Sequence, residues 1–148
     1  MGYDLNKKTM PILNYTTKIN PSKTVGEISE CLSLHGARRI AVDYEEGLPI
    51  ALAFCITMSN KDIFFQLPCR WKGVLNVMQN DKKIPRGLCN KEQALRVSWR
   101  ILKDWVEAQM AAVEAEIASV TEVFLPYALT EGGKTVFEKI SENPKLLN

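Results

Sequence analysis

The sequence predicts an α+β fold: a three- or four-stranded antiparallel sheet covered by helices, in the order α-β-β-β-α, with a long C-terminal helix. Three observations carry this. Residues 38–67 contain three runs in which bulky apolar side chains alternate with other residues, separated by short turn-forming stretches. Residues 22–35 carry apolar groups at a helical period and end at a glycine. Residues 90–125 hold no Gly or Pro and repeat apolar groups every three or four positions. The 148 residues, 46% hydrophobic and 24% charged, suit a single domain with a full core. Within it we expect an α/β core over 11–81, the long helix over 90–125 and a C-terminal extension over 126–148.

Residues 1–9 are polar and are expected to be disordered or loosely attached. They lack the apolar run of a secretory signal, and Asn6 breaks the myristoylation pattern that Gly2 would begin. Ile12 to Ile19 contains the β-formers Tyr15, Thr16 and Thr17 and predicts a first strand. A turn at Asn20-Pro21-Ser22 leads into a helix capped by Ser22 or Thr24, with Glu27 three residues beyond Thr24. Val25, Ile28, Cys31, Leu32 and Leu34 form its apolar side, and Gly36 ends it. His35, the single histidine, falls in the last turn, where a cation suits the helix dipole.

Strands follow at Arg38–Tyr44, Pro49–Met58 and Asp62–Leu67, with turns at Glu45-Glu46-Gly47 and Ser59-Asn60-Lys61. Ile40, Val42, Tyr44, Ile50, Leu52, Phe54, Ile56, Ile63, Phe65 and Leu67 make the bulky face. Ala51, Ala53, Cys55 and Thr57 make a second, small-residue face. Phe64 on that face has two readings, packing under a helix or stacking a base. Pro68 ends the third strand. Arg70–Asn80 predicts a short amphipathic helix, and 81–88 a basic loop. Asn90 then caps the long helix, with Gln93 completing an N-x-x-Q capping box. Its stripe runs through Trp99, Leu102, Val106, Met110, Val113, Ile117, Val120 and Phe124 as far as Pro126. Such a helix would be roughly 50 Å long, in a domain about 30 Å across. One end is therefore expected to leave the core and mediate homo-oligomerisation. Gly132-Gly133 breaks the remainder, and Thr135–Ser141 predicts a last short element.

Net charge is +2, which sets up no field that demands a nucleic acid or membrane, and no apolar run is long enough to cross a membrane. Cys31, Cys55, Cys69 and Cys89 form no C-x-x-C pair, so reduced thiols are expected rather than a metal site. Gly133-Lys134-Thr135 resembles the end of a P-loop, but Ala128 stands where the motif needs glycine. There is no nucleophile elbow, His35 has no nameable catalytic partner, and Glu45 and Glu46 lie in a turn. No catalytic residues, cofactor or metal are assigned, and the chain is expected not to be an enzyme.

One feature is uneven. Between Arg70 and Lys103 nine basic residues face two acidic ones, a net +7 over 34 residues. The candidate nucleic-acid-binding residues are Arg70, Lys72, Lys82, Lys83, Arg86, Arg96, Arg100 and Lys103 for phosphate, with Trp71 for stacking. Lys91 completes the nine. Arg96, Arg100 and Lys103 share one helix face, readable as an anion-binding ridge or as a solvated face with i, i+4 pairs to Asp104 and Glu107. Basic residues lead the helix and acidic ones follow, against its dipole. Antiparallel self-association would match the two halves. The helix-strand-strand-strand-helix order also matches the double-stranded-RNA-binding fold in topology, without that fold's lysine-rich helix motif.

At PILNYTTKI, KTVGEI, HGA, RVSWRILKDWVEAQ and EVFLPYAL the chain resembles a family of small uncharacterised proteins of tailed phages and prophages, mostly of Firmicutes. The resemblance runs from about Pro11 to Phe137. It implies a phage accessory protein in the bacterial cytoplasm, of a kind that handles nucleic acid or blocks a host defence. It carries no site residues. The expected function is non-catalytic binding of nucleic acid or a nucleotide through the basic region. The alternative is a protein-interaction module that inhibits a host defence or replication protein through the long helix and its acidic half, Glu107 to Glu122.

Overall fold

A computed structural model describes residues 10–148; the expectation for 1–9 lies outside the described residues. Three strands, β1 (Ala37–Glu45), β2 (Leu48–Met58) and β3 (Lys61–Pro68), form an antiparallel meander in that order. Both hairpins close with two-residue turns whose central residues are left-handed: Glu46 (φ 52°) and Gly47 (φ 78°), then Ser59 (φ 50°) and Asn60 (φ 65°). That geometry follows the right-handed twist of the strands and fixes their register.

The bulky face of the sheet is the core. Leu52, Phe54, Phe65 and Leu67 are buried there beneath α1 (Pro21–Leu34) and α3 (Lys91–Glu114). A second helix, α2 (Trp71–Asn80), packs on the other flank of α3. Met78, Ile84, Ala94 and Val97 form a smaller core there, joined by Ile12 and Tyr15. The long helix therefore lies inside the molecule with both flanks covered. Its 24 residues span about 36 Å, and of its apolar stripe Trp99, Val106 and Met110 are buried within the chain, whereas Ile117, beyond the helix end, is exposed. Among the described residues no helix is long and apolar enough to cross a membrane.

Three local expectations are corrected. Residues 12–19 form a turn at 13–16 flanked by irregular chain rather than the expected first strand. Asn14 is left-handed (φ 66°), and Gln93 Nε2 donates to the carbonyls of Tyr15 (2.8 Å) and Thr17 (2.9 Å), pinning the segment to α3. The N-cap of α1 is Asn20, whose side chain accepts from the Ser22 amide at 2.9 Å. Proline at N1 suits that position because it has no amide to satisfy.

The third correction is the end of the long helix, at Glu114 rather than Leu125. Glu116 turns left-handed (φ 59°), its amide donates to Val113 and the Ile117 amide donates to Ala112. This is a Schellman stop without glycine. Ser119 then caps α4 (Val120–Phe124) in a reciprocal box with Glu122. The reversal drives Phe124 into the core against Phe54, Phe65 and Trp105, with ring centroids 5.2, 6.0 and 5.6 Å away. Burying that ring offsets the roughly 1–2 kcal/mol cost of a left-handed non-glycine residue.

The chain then forms α5 (Val136–Glu142), capped by Thr135 and Glu138. Lys134, in the P-loop-like stretch, pairs with Glu142, and Gly133 is a turn residue (φ 80°).

His35 caps the C-terminus of α1 and joins it to α3. Its Nδ1 lies 2.7 Å from the Cys31 carbonyl and its Nε2 2.5 Å from Glu114 Oε1. The Cys31 carbonyl, with Glu114 beyond it, raises the imidazole above its ordinary value of 6.5. A raised folded value stabilises the protein fully below the unfolded value and is lost as pH climbs through the folded one. The thermal midpoint should therefore fall as pH rises above about 6.5 in the wild type, and fall less in His35→Gln. The contribution is no more than about 1 kcal/mol, because Glu114 is exposed.

Candidate nucleic-acid interface

Pro68 lacks an amide to continue the ladder, so the chain leaves β3 there. The Cys69 amide donates to the Ile50 carbonyl at 2.9 Å, and Arg70 becomes the N-cap of α2. The Arg70 guanidinium lies over the Phe137 ring, 5.5 Å from its centre. Trp71 is half-buried and packs into both cores. Its ring already carries two ammonium groups, Lys91 at 5.1 Å and Lys72 at 5.8 Å. Lys91 also lies 3.8 Å from both Glu45 and Glu46, which places the β1–β2 turn beside the start of α3.

At the other end of α2 the loop is built on its own backbone. Arg86 donates to the carbonyls of Gln79 (2.8 Å) and Asp81 (3.1 Å), satisfying orphan acceptors at the helix end. Asp81 accepts from the Lys83 amide at 2.9 Å. Lys72, Lys82, Lys83 and Arg86 are exposed, as are Gly73, Asn76, Gln79 and Asn80 on α2.

The ridge on α3 is arranged otherwise. Arg100 donates to Glu27 Oε2 at 2.8 Å and to Thr24 at 3.4 Å. Lys103 lies 3.7 Å from Glu27 and 3.0 Å from Glu107. Their side chains are only 14% and 17% exposed, so this face is the α1–α3 interface and not a surface for phosphate. Arg96 donates to Gln93 Oε1 at 3.1 Å, half-buried. Of the expected i, i+4 pairs, Lys103–Glu107 forms, whereas Asp104 accepts from Asn14 instead. Sequence reasoning missed Glu27 as the counter-charge. It read that glutamate as half of a cap, although its place on the edge of the α1 apolar side was a signal.

The concave surfaces bear on ligand size. Arg70 rims a largely apolar groove of about 280 Å³ between α2 and α3, floored by Val74, Ser98 and Ile101. That lies just below the usual range of small-molecule sites. A larger cavity, about 590 Å³, lies beside β3 away from the basic loop, with Asp62 and Glu131 in its wall. Burial pushes the Cys69 thiol up to about 12, so it stays protonated and unreactive. Searched against family models, curated proteins and solved structures, the chain finds no match.

Proposed function

We propose that the chain binds nucleic acid without catalysis, through α2 and the loop that follows it. The observation that carries this is the solvent-facing composition of that element. Lys72, Asn76, Gln79, Asn80, Lys82, Lys83 and Arg86 are exposed on it. Its one carboxylate, Asp81, is turned toward the loop backbone. Cations contact phosphate and side-chain amides suit base edges or sugar. A strand passing over an open surface fits this better than an enclosed nucleotide, given the small groove beside Arg70. Arg70 and Lys72 would hold phosphate at the start of α2, and Lys82, Lys83 and Arg86 at its end. Trp71 would brace the lysines rather than stack a base.

Fluorescence anisotropy with labelled single- and double-stranded oligonucleotides tests the reading. Binding should be measurable at about 50 mM salt and fall steeply toward 200 mM. The Lys72→Glu/Lys82→Glu variant should lose at least about tenfold in affinity and about two units of salt slope. No binding at low salt would end the proposal.

One observation favours a second reading, an interaction module for a host-defence or replication protein. The α3–α4 corner exposes Ile117 beside the exposed Glu114, Glu116 and Glu122. Capture of a host protein that survives nuclease treatment and is lost in Ile117→Lys would support it. A phage accessory role in the bacterial cytoplasm suits either reading.

A further inference from the structure

We infer that β1 is the seam of a two-fold homodimer, in which the sheets of two copies join antiparallel about Ala41 into one six-stranded sheet. This stands independently of nucleic-acid binding. The outer edge of β3 is partly covered, since Phe65 bridges Ala128 and the Leu129 amide donates to the Phe64 carbonyl at 2.8 Å. The outer edge of β1 has no such cover: among the described residues only β2 pairs with it. An open strand edge is a row of unpaired backbone groups that templates another strand.

The pattern along that edge selects the partner. The pairing of β1 with β2 is irregular between Ala37 and Arg39 and again between Asp43 and Tyr44. Between these bulges lies a regular stretch, Arg39 to Asp43, whose centre is Ala41. A two-fold axis at Ala41 sets Arg39 of each copy opposite Asp43 of the other, on the solvent face. It sets Ile40 opposite Val42 on the core face. Neither Arg39 nor Asp43 makes an ion pair within the chain, among the described residues. Charges on an edge strand usually block pairing; here their order makes them complementary to a second copy of themselves. Face parity admits only even register shifts, and axes at Ile40 or Val42 run the pairing into one bulge or the other.

The flank of α1 above this edge is consistent with close approach. Val25, Ile28 and Leu32 of α1 are buried in the main core, and Thr24 and Glu27 contact Arg100 of α3. The helical period then puts Ser22, Gly26, Ser29 and Ser33 on the side away from α3. A Cβ added at Gly26 would meet nothing within 4 Å. Two such flanks present no bulk to hold the copies apart.

Sedimentation velocity of the full chain over a wide concentration range tests the dimer by charge exchange. Wild type should show a monomer–dimer equilibrium. Arg39→Glu sets Glu against Asp43 at both ends, and Asp43→Arg sets Arg against Arg39. Each should weaken the dimer at least about tenfold, since opposed like charges replace two favourable cross-strand pairs. Arg39→Glu/Asp43→Arg should restore it, and a mixture of the two single variants should form the mixed dimer. Unchanged far-UV circular dichroism would exclude unfolding as the cause. A wild type that stays monomeric throughout, or single variants that dimerise as well as wild type, would overturn the inference.

Discussion

Trp99→Ala is expected to destabilise the protein by about 3–5 kcal/mol, the range for deleting a large buried aromatic. Trp99 is fully buried, and its Nε1 donates to the Pro49 carbonyl at 2.9 Å. That bond joins the centre of the fold: α3 is fixed to the start of β2, beside the hairpin that sets the sheet register. Trp99→Phe separates the two contributions. It keeps much of the apolar volume but strands a buried acceptor, at a cost of about 1–3 kcal/mol. Urea unfolding should show both shifts as lower midpoints with unchanged slope. A loss below about 1 kcal/mol for Trp99→Ala would mean that α3 is not the keystone of the core.

Glu27→Ala is expected to cost about 2–3 kcal/mol, because it leaves Arg100 partly buried without its carboxylate. Lys103 keeps Glu107 and contributes less. Replacing both partners, as in Glu27→Leu/Arg100→Leu, should recover most of the loss, since no charge is then left unpaired in the interface. The pair also sets an acid dependence. The hydrogen bond from Arg100 leads in holding the Glu27 carboxyl below its ordinary 4.5, against the effect of burial. A depressed folded value stabilises above the unfolded value, and the benefit disappears as pH falls through the folded one. Wild type should lose stability on acidification below about pH 4.5 more steeply than Glu27→Leu/Arg100→Leu. Parallel acid profiles would show the pair to be energetically idle.

These two residues illustrate how unevenly the fold and site can be read from sequence. Trp99 was legible as core because it opens a stripe whose period is set by the helix itself. Arg100, its neighbour, was read as free surface because its counter-charge lies 73 positions away on another helix. Phe124 shows the same boundary from the other side. Its spacing continued the stripe, so a straight helix to Leu125 was the natural reading. The local sequence Ser119-Val120-Thr121-Glu122 nevertheless carries a capping box, a start signal inside the supposed helix. The stop before it has no glycine to mark it.

The sequence by itself determined the three strands, their turns, the first two helices and the start of the third. These follow from side-chain period, Pro and Gly constraints and caps, all set within a few residues. It also determined that positive charge gathers between Arg70 and Lys103. Only the tertiary structure decided how that charge is divided: Arg100 and Lys103 to an internal seam with α1, and Lys72, Lys82, Lys83 and Arg86 to the surface around α2. It also decided that the long helix is packed on both flanks and that, among the described residues, only β2 pairs with β1. The reason is physical. Periodicity states which side chains share a face, but what opposes that face depends on packing partners distant in the chain.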